Sequence, residues 1–417
     1  MKMPEAKAGV VPELRFPKFR DAGPWEVKSI ADLSERIAQG GTPATSVAEY
    51  WNGGIPWITP AEMGDDAATH YTSATVRTIS AEGLRNSSAE LLPVNSVIIS
   101  SRAPIGYVTI NSVEMATNQG CKGIVPCADV HHEFLYFGLL NAKTRLNDIG
   151  AGAGFKEIST SSLAAFQIPV PSLPEQQQIA DCLTSLDDLI RAEEGRLGAL
   201  KDHKRGLMQR LFPAPGQTTP RLRFPEFRHA GPWEVKRLGD RGIARFIRDR
   251  VAAEDVPSGH YVSTVNLLPD FGGLSPEPEK PPPGSAIAYR EGDILMSNIR
   301  PYLRKVWVAD RTGGASNDVL VARLGKSVVK SFLSQLLMSE RFISHVMDGA
   351  KGVKMPRGDL EQIQDFAVPL PAKPEQQKIA DCLTALDDLI RAQGKTIEAL
   401  KAHKTGLMQQ LFPREVG

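Results

Sequence analysis

PSLPEQQQIADCLTSLDDLIRAEEGRLGALKDHKRGLMQRLFP occupies residues 171–213, and PAKPEQQKIADCLTALDDLIRAQGKTIEALKAHKTGLMQQLFP occupies residues 371–413. Of the 43 aligned positions 13 differ, so 30 are identical, without a gap. Apolar residues fall at Ile179, Leu183, Leu186, Ile190, Leu197, Leu200, Leu207 and Leu211 in the first copy. In the second they fall at Ile379, Leu383, Leu386, Ile390, Ile397, Leu400, Leu407 and Leu411. Steps of four and three predict a heptad seam on a long helix. Glu193 and Lys204, and Gln393 and Lys404, fill the skipped seam positions and are candidate register markers. Pro174 and Pro374 suit a first helical turn, each followed by a glutamate near the positive end of the helix dipole. Pro213 and Pro413 stop the helices. About 39 residues at 1.5 Å each make a rod of roughly 58 Å. Such a helix cannot bury its stripe alone, and its copy is the natural antiparallel partner.

A shorter repeat opens each half: LRFPKFRDAGPWEVK from Leu14 and LRFPEFRHAGPWEVK from Leu222. Between the repeats the halves look little alike. The organisation is therefore residues 1–173, a variable module; 174–213, a helix; 214–373, a second module; and 374–417, a second helix. PAPGQTTP at 213–220 reads as a linker. Short strand-like runs, LLPVNSVIISSR (91–102), GYVTI (106–110), GDILMSNIR (292–300) and KVWVA (305–309), accompany helical stretches near 131–147 and 327–348. The expected fold class is α+β: two mixed α/β modules separated by two long antiparallel coiled-coil helices, pseudo-twofold and circular, the second helix returning the chain toward module one. Trp25 and Trp233 in the repeated openings are expected core anchors.

The 417 residues, 41% hydrophobic and 23% charged, are ordinary for a globular protein of two or three domains. There is no run of about 18 apolar residues and no signal peptide, so a cytoplasmic protein is expected. The four cysteines, Cys121, Cys127, Cys182 and Cys382, read as reduced thiols. Net charge is only +1. Residues 1–173 carry 14 Lys+Arg against 17 Asp+Glu, and residues 214–373 carry 23 against 18. A chain held on DNA by its own charge alone would be more basic.

Catalytic signatures are missing: no nucleotide-hydrolysing P-loop, no HExxH, no zinc-spaced CxxC pair, and no Asn-Pro-Pro-aromatic segment. No metal site is expected. His131-His132 reads as a solvated or capping doublet, and Gly150–Gly154 as a flexible loop. What remains are loops rich in groups that grip phosphates or pair with base edges. In module one the candidates are Thr42, Thr59, Arg102, Asn118, Gln119, Lys122 and Lys156. In module two they are Asn298, Arg300, Tyr302, Arg304, Lys305, Asn317 and Lys354.

LPEQQQIADCL at 173–183 and KPEQQKIADCL at 373–383 resemble the central and C-terminal repeats of the specificity subunit of type I restriction-modification enzymes. The resemblance continues through GGTPATSVAEYWNGGIPWIT (40–59), VIISSRAPIGYV (97–108), TNQGCKGIVP (117–126) and GFKEISTSSLAAFQIPVP (154–171). In module two it covers GDILMSNIRPYLRKVWVA (292–309) and SNDVLV (316–321). Module two departs from the pattern, with no GGTP or IPWIT counterpart. The resemblance implies that the modules are target-recognition domains, each reading one half of a bipartite, asymmetric target in double-stranded DNA. It implies that the helices set the spacer and dock two modification subunits, which bind S-adenosylmethionine and methylate adenine. On the same resemblance, restriction subunits that use ATP and magnesium would complete a nuclease, while this chain would bind no cofactor and catalyse nothing. Two other readings remain: a coiled-coil adaptor whose modules bind proteins, and a self-contained methyltransferase, which the missing base-holding segment disfavours.

Overall fold

The computed structural model describes residues 9–64, 70–150, 157–277, 279–352 and 354–413. It divides into two compact units, Met1–Arg196 with Gln393–Gly417, and Leu197–Ala392. The division passes through both long helices rather than between modules and helices. Each unit holds one module, the start of the helix that follows it and the end of the other helix. The chain thus begins and ends in the same unit.

The helices run Leu173–Leu211 and Lys373–Leu411, 39 residues each. Within unit one their antiparallel pairing is visible in the polar contacts. Lys404 Nζ lies 2.6 Å from Asp187 Oδ1, and Lys401 Nζ lies 2.9 Å from Glu194 Oε1. Gln393 donates to the carboxylate of Glu193, its own repeat equivalent, and to the Glu193 carbonyl at 3.2 Å. Within unit two, Lys204 Nζ lies 2.6 Å from Asp387 Oδ1, the same pair in the other copy. The four residues that interrupt the seam therefore all make cross-helix contacts. A slip of one turn would strand a half-buried lysine without its aspartate, and polar seam residues of this kind favour one register.

The apolar seam positions are all at least half-buried, with Ile179, Leu183, Ile190, Leu211, Ile379, Leu383, Ile397 and Leu411 fully so. Leu186, Leu197, Leu200, Leu207, Leu386, Ile390, Leu400 and Leu407 are half-buried. The helices do not cover one another along their whole length. At each end the seam enters a module core. Ile179, Ala180 and Leu183 join Leu411 and Phe412 in the core of module one. Ile379, Ala380 and Leu383 join Leu211 and Phe212 in that of module two.

Each module is built around one apolar strand. In unit one Val97–Ser100 lies inside a five-stranded sheet ordered Ser34–Gln39, Cys121–Pro126, Val97–Ser100, Val108–Asn111, Tyr71–Thr72. Val97 and Ile99 face the core shared with helix His132–Asn141, while Ile98 faces a second core with Ile58 and Met115. Burial on both faces explains why the sequence reads VIIS without alternation. A smaller sheet orders Thr78–Ile79, Trp51–Ile58, Ala116–Thr117. In unit two Ile294–Ser297 has the same place, in a sheet ordered Ala244–Phe246, Val319–Leu324, Ile294–Ser297, Val306–Val308. Ile294 and Met296 face one core and Leu295 another. The four-stranded partner sheet orders Arg250–Ala252, Ser285–Tyr289, Gly313–Ala315, Tyr261–Val262.

The two repeated segments bind each other in both units. The Arg15 guanidinium forms a fork on the Glu175 carboxylate, with both bonds at 2.7 Å, and donates to Ala22 O at 2.6 Å and Gly23 O at 3.0 Å. Arg223 grips Glu375 in the same way, at 2.6 and 2.8 Å. Both glutamates are 1% exposed. Leu14 N donates to Gln410 O at 2.9 Å, and Leu222 N to Arg210 O at 2.8 Å, so each opening also touches the end of the other helix. The next residue of the PEQQ run fastens the module helix: Gln176 Oε1 accepts from His131 N at 2.9 Å, and Gln376 Oε1 from Val329 N at 2.8 Å. Trp25 and Trp233 are core anchors as expected. Trp25 packs edge-on against Phe134 and Phe412, and Trp233 against Phe332.

Beyond this shared frame the modules are fastened differently. In unit one the buried His70 places Nε2 3.3 Å from Glu133 Oε1 and Nδ1 3.7 Å from Asp187 Oδ2. Burial opposes a charge on this imidazole, but Asp187 and Glu133 outweigh it and hold its pKa above the ordinary value. The hydrogen bond from His70 draws Glu133 down to about 2. His132 is half-buried, with Nε2 3.0 Å from the Tyr71 hydroxyl, rather than solvated. Unit two has an amide instead: Gln335 Nε2 donates to Asp387 Oδ2 at 2.6 Å.

Candidate nucleic-acid interface

Four loops of module one meet at one end of its sheets. Gly41 N donates to Thr117 O at 2.9 Å, Asn118 N to Ile58 O at 3.0 Å, and Ser101 N to Gly120 O at 2.8 Å. The Gly40-Gly41 pair is required by this convergence. A Cβ on Gly40 would lie 1.6 Å from the Asn118 carbonyl oxygen, and one on Gly41 2.3 Å from Ala89 N. Thr42 and Gln119 are exposed, and the Thr42 hydroxyl donates to Gln119 Oε1. Arg102 is exposed at the end of the central strand, Nε 3.1 Å from Glu157 Oε2.

Other candidates of this module serve the scaffold. Thr59 donates its hydroxyl to Glu62 Oε2 at 2.9 Å and caps a short helical turn. Asn118 Oδ1 accepts from Gly120 N at 2.9 Å and holds its own turn, as Asn side chains do in tight bends. Lys122 sits within strand Cys121–Pro126 and is 6% exposed. Lys156 lies outside the described residues, as do positions 151–154 of the glycine-alanine loop.

In module two, loops 297–304, 316–318 and 351–358 converge. Asn298 N donates to Asp318 O at 2.8 Å, Gly358 N to Asn298 O at 3.0 Å, and Arg300 N to Pro356 O at 2.8 Å. Arg357 Nη1 closes the group 2.8 Å from Asp318 Oδ1. Arg300 and Arg304 adopt left-handed backbone conformations, at φ 50° and 54°, on either side of the turn Pro301–Leu303. Arg300, Tyr302, Lys354 and Asn317 are exposed, and Asn317 Oδ1 accepts from Arg250. Asn298 is half-buried, and its Oδ1 has no hydrogen-bond partner among the described residues.

Two candidates here are fasteners. Arg304 is neutralised by Asp270 and Glu340. Lys305 donates Nζ to Thr264 O at 2.7 Å, with burial lowering its pKa. The cluster also includes Arg250, Lys351 and Arg357, which no motif marked, with Lys351 paired to Asp359 at 2.6 Å and Arg357 to Asp318. Strand pairing and a bridge between Ile299 and Arg357 bring them in. Arginine forks, amides and hydroxyls set on rigid turns suit base edges and phosphates. Among the described residues no group of His, Cys, Asp and Glu is placed to hold a metal, and no helix is long and apolar enough to cross a membrane.

The sequence matches the family model for the type I restriction modification DNA specificity domain over residues 23–202 and 291–402. It is 38% identical to the MjaIX type I restriction enzyme specificity subunit of Methanocaldococcus jannaschii, over 52% of this chain and 51% of that protein. It is 24% identical to the MjaVIII specificity subunit of the same organism over 94% of this chain and 93% of that one. The chain thus spans about half the length of the first relative and nearly all of the second. Its fold is similar to that of the S subunit of a type I restriction-modification system from M. genitalium, with a TM-score of 0.55 and 15% identity over 97% of this chain and 100% of that one.

Proposed function

Because this chain belongs to the type I restriction-modification DNA specificity family, we propose that it is the DNA-recognition subunit of such a complex and that each loop cluster reads one half of a bipartite, asymmetric duplex target. One observation carries this reading: two unlike loop clusters stand on frames fastened by the same residues, Arg15–Glu175 and Arg223–Glu375. Evolution of the readers without the frame is what independent half-site recognition requires. The long helices would set the unread spacer, and their exposed faces would receive two modification subunits. S-adenosylmethionine would bind in those subunits, and ATP with magnesium in restriction subunits. Partners that enclose the duplex also account for a net charge of only +1, since they would supply much of the phosphate grip.

The test is selection from randomised duplexes by the chain assembled with its modification subunits. The expected result is one asymmetric, split sequence with a fixed gap. No enriched sequence in the full assembly would contradict DNA recognition and favour a protein-binding adaptor.

A further inference from the structure

Arg77 lies in the run TVRTIS and reaches the module-one loops only through strand pairing. Strand Trp51–Ile58 runs antiparallel to Thr78–Ile79, with a bulge that sets both Trp51 and Ile55 against Ile79. The bulge falls at Asn52-Gly53-Gly54. Asn52 has φ 57°, and a Cβ on Gly53 would lie 2.4 Å from Ser80 Cα, so the backbones approach closely there. Trp51 stands edge to face with Trp57, ring centres 5.2 Å apart. Both indoles are pinned to the glycine-threonine loop: Trp57 Nε1 donates to Gly41 O at 2.8 Å and Trp51 Nε1 to Ala44 O at 3.3 Å.

The Arg77 guanidinium carbon sits 3.7 Å from the Trp51 ring centre and 5.2 Å from that of Trp57. Its carbonyl accepts from Trp57 N at 3.1 Å, so backbone and side chain are both held. The residue is exposed, and no hydrogen bond or ion pair to a described residue engages its guanidinium. Stacking on the indole uses the face of the cation and leaves its in-plane N–H groups open. The site is continuous through Trp57 and Gly41 with Thr42 and Gln119.

A phosphate accepts a point charge as well as a guanidinium fork, whereas guanine N7 and O6 are two in-plane acceptors that match a guanidinium held in one orientation. We propose that Arg77, clamped on Trp51 and Trp57, is a base-reading residue of module one and takes the major-groove edge of a guanine in that module's half-site. The assignment rests on the proposed function, since it presumes that module one reads DNA.

The test compares the unaltered chain, Arg77→Lys and Trp51→Leu, each assembled with modification subunits, in selection from randomised duplexes. Lysine keeps the charge and loses the fork. Arg77→Lys is expected to lose about 5- to 150-fold of discrimination at one guanine position of the first half-site, with every other position unchanged. Trp51→Leu is expected to relax the same position by a smaller factor. A loss of affinity equal for all sequences, with the salt slope reduced by about one, marks a phosphate contact and overturns the assignment. So does an unchanged selected sequence for Arg77→Lys beside an unaltered chain that selects normally. An unaltered assembly that enriches no sequence overturns both the assignment and the proposed function.

Discussion

A fragment ending at Pro213 is expected to sediment as a dimer. Unit one takes its last elements from Gln393–Gly417, which this fragment lacks. Without them Trp25 and Phe134 lose Phe412, which stacks on Phe134 at 5.4 Å, and Asp187 loses Lys404. The fragment nevertheless carries the equivalents of the missing residues in its own helix: Lys204, Leu207, Met208, Leu211 and Phe212 are identical in type to Lys404, Leu407, Met408, Leu411 and Phe412. A second copy can therefore fill the vacancy, and its own vacancy is filled in return, the self-complementary contact of a twofold dimer. Full burial of a leucine or phenylalanine, as at Leu411 and Phe412, contributes about 1.5–3 kcal/mol, and the half-buried Leu407 and Met408 contribute less. Two sets of four are of the size needed to offset an association cost on the order of 4–15 kcal/mol. Assembled with modification subunits, the dimer is expected to select an inverted repeat of the first half-site. A strictly monomeric fragment by sedimentation would show that the helix copies are not interchangeable.

Arg15→Ala is expected to cost about 3–5 kcal/mol within unit one, because it leaves the Glu175 carboxylate, 1% exposed, without its cation. The effect is best read by hydrogen exchange resolved along the chain, since a protein of two units does not unfold in one step. Amides of unit one should lose protection by that amount while unit two keeps its own. Arg223→Ala should do the reverse through Glu375. Replacing both partners, Arg15→Met with Glu175→Leu, should recover most of the loss, because the penalty comes from an unpaired buried charge rather than from a missing attraction. A loss below about 1 kcal/mol for Arg15→Ala would mean that water reaches Glu175, and the clasp would not hold the frame.

The long helices are visible in the sequence because a heptad is a local pattern, and their partnership because both copies interrupt the seam with polar residues at the same two positions. Lys204 and Lys404 marked the register, although nothing in the spacing named Asp387 and Asp187 as their partners. The mutual recurrence of LRFP and PEQQ held a further signal. Residues repeated together in both halves are candidates to touch, and Arg15–Glu175 and Arg223–Glu375 do. Thr42, Asn118 and Gln119 stand out by the chemistry of their side chains in polar loops, which is also local. Side-chain roles were harder to see. Thr59 and Asn118 have the right groups for DNA and also hold their own turns, and Arg304 pairs with Asp270 and Glu340. Arg77 and His70 gave no sign, because their neighbours come from strands and helices far along the chain. Arg77 needs the bulge at Gly53 and His70 needs Asp187, and neither pairing leaves a periodic trace.

Exchange of the second module tests the central claim most directly. Residues 222–370 would be replaced by the second module of another family member, keeping Glu375, Gln376 and both helices, with the new module's own arginine at the Arg223 position. Methylated adenines would then be mapped in the DNA of cells carrying the hybrid with its modification subunits. Independent reading by two clusters on a duplicated frame predicts that one half of the target changes while the other half and the gap between them stay as they were. A change in both halves, or in neither, would contradict it.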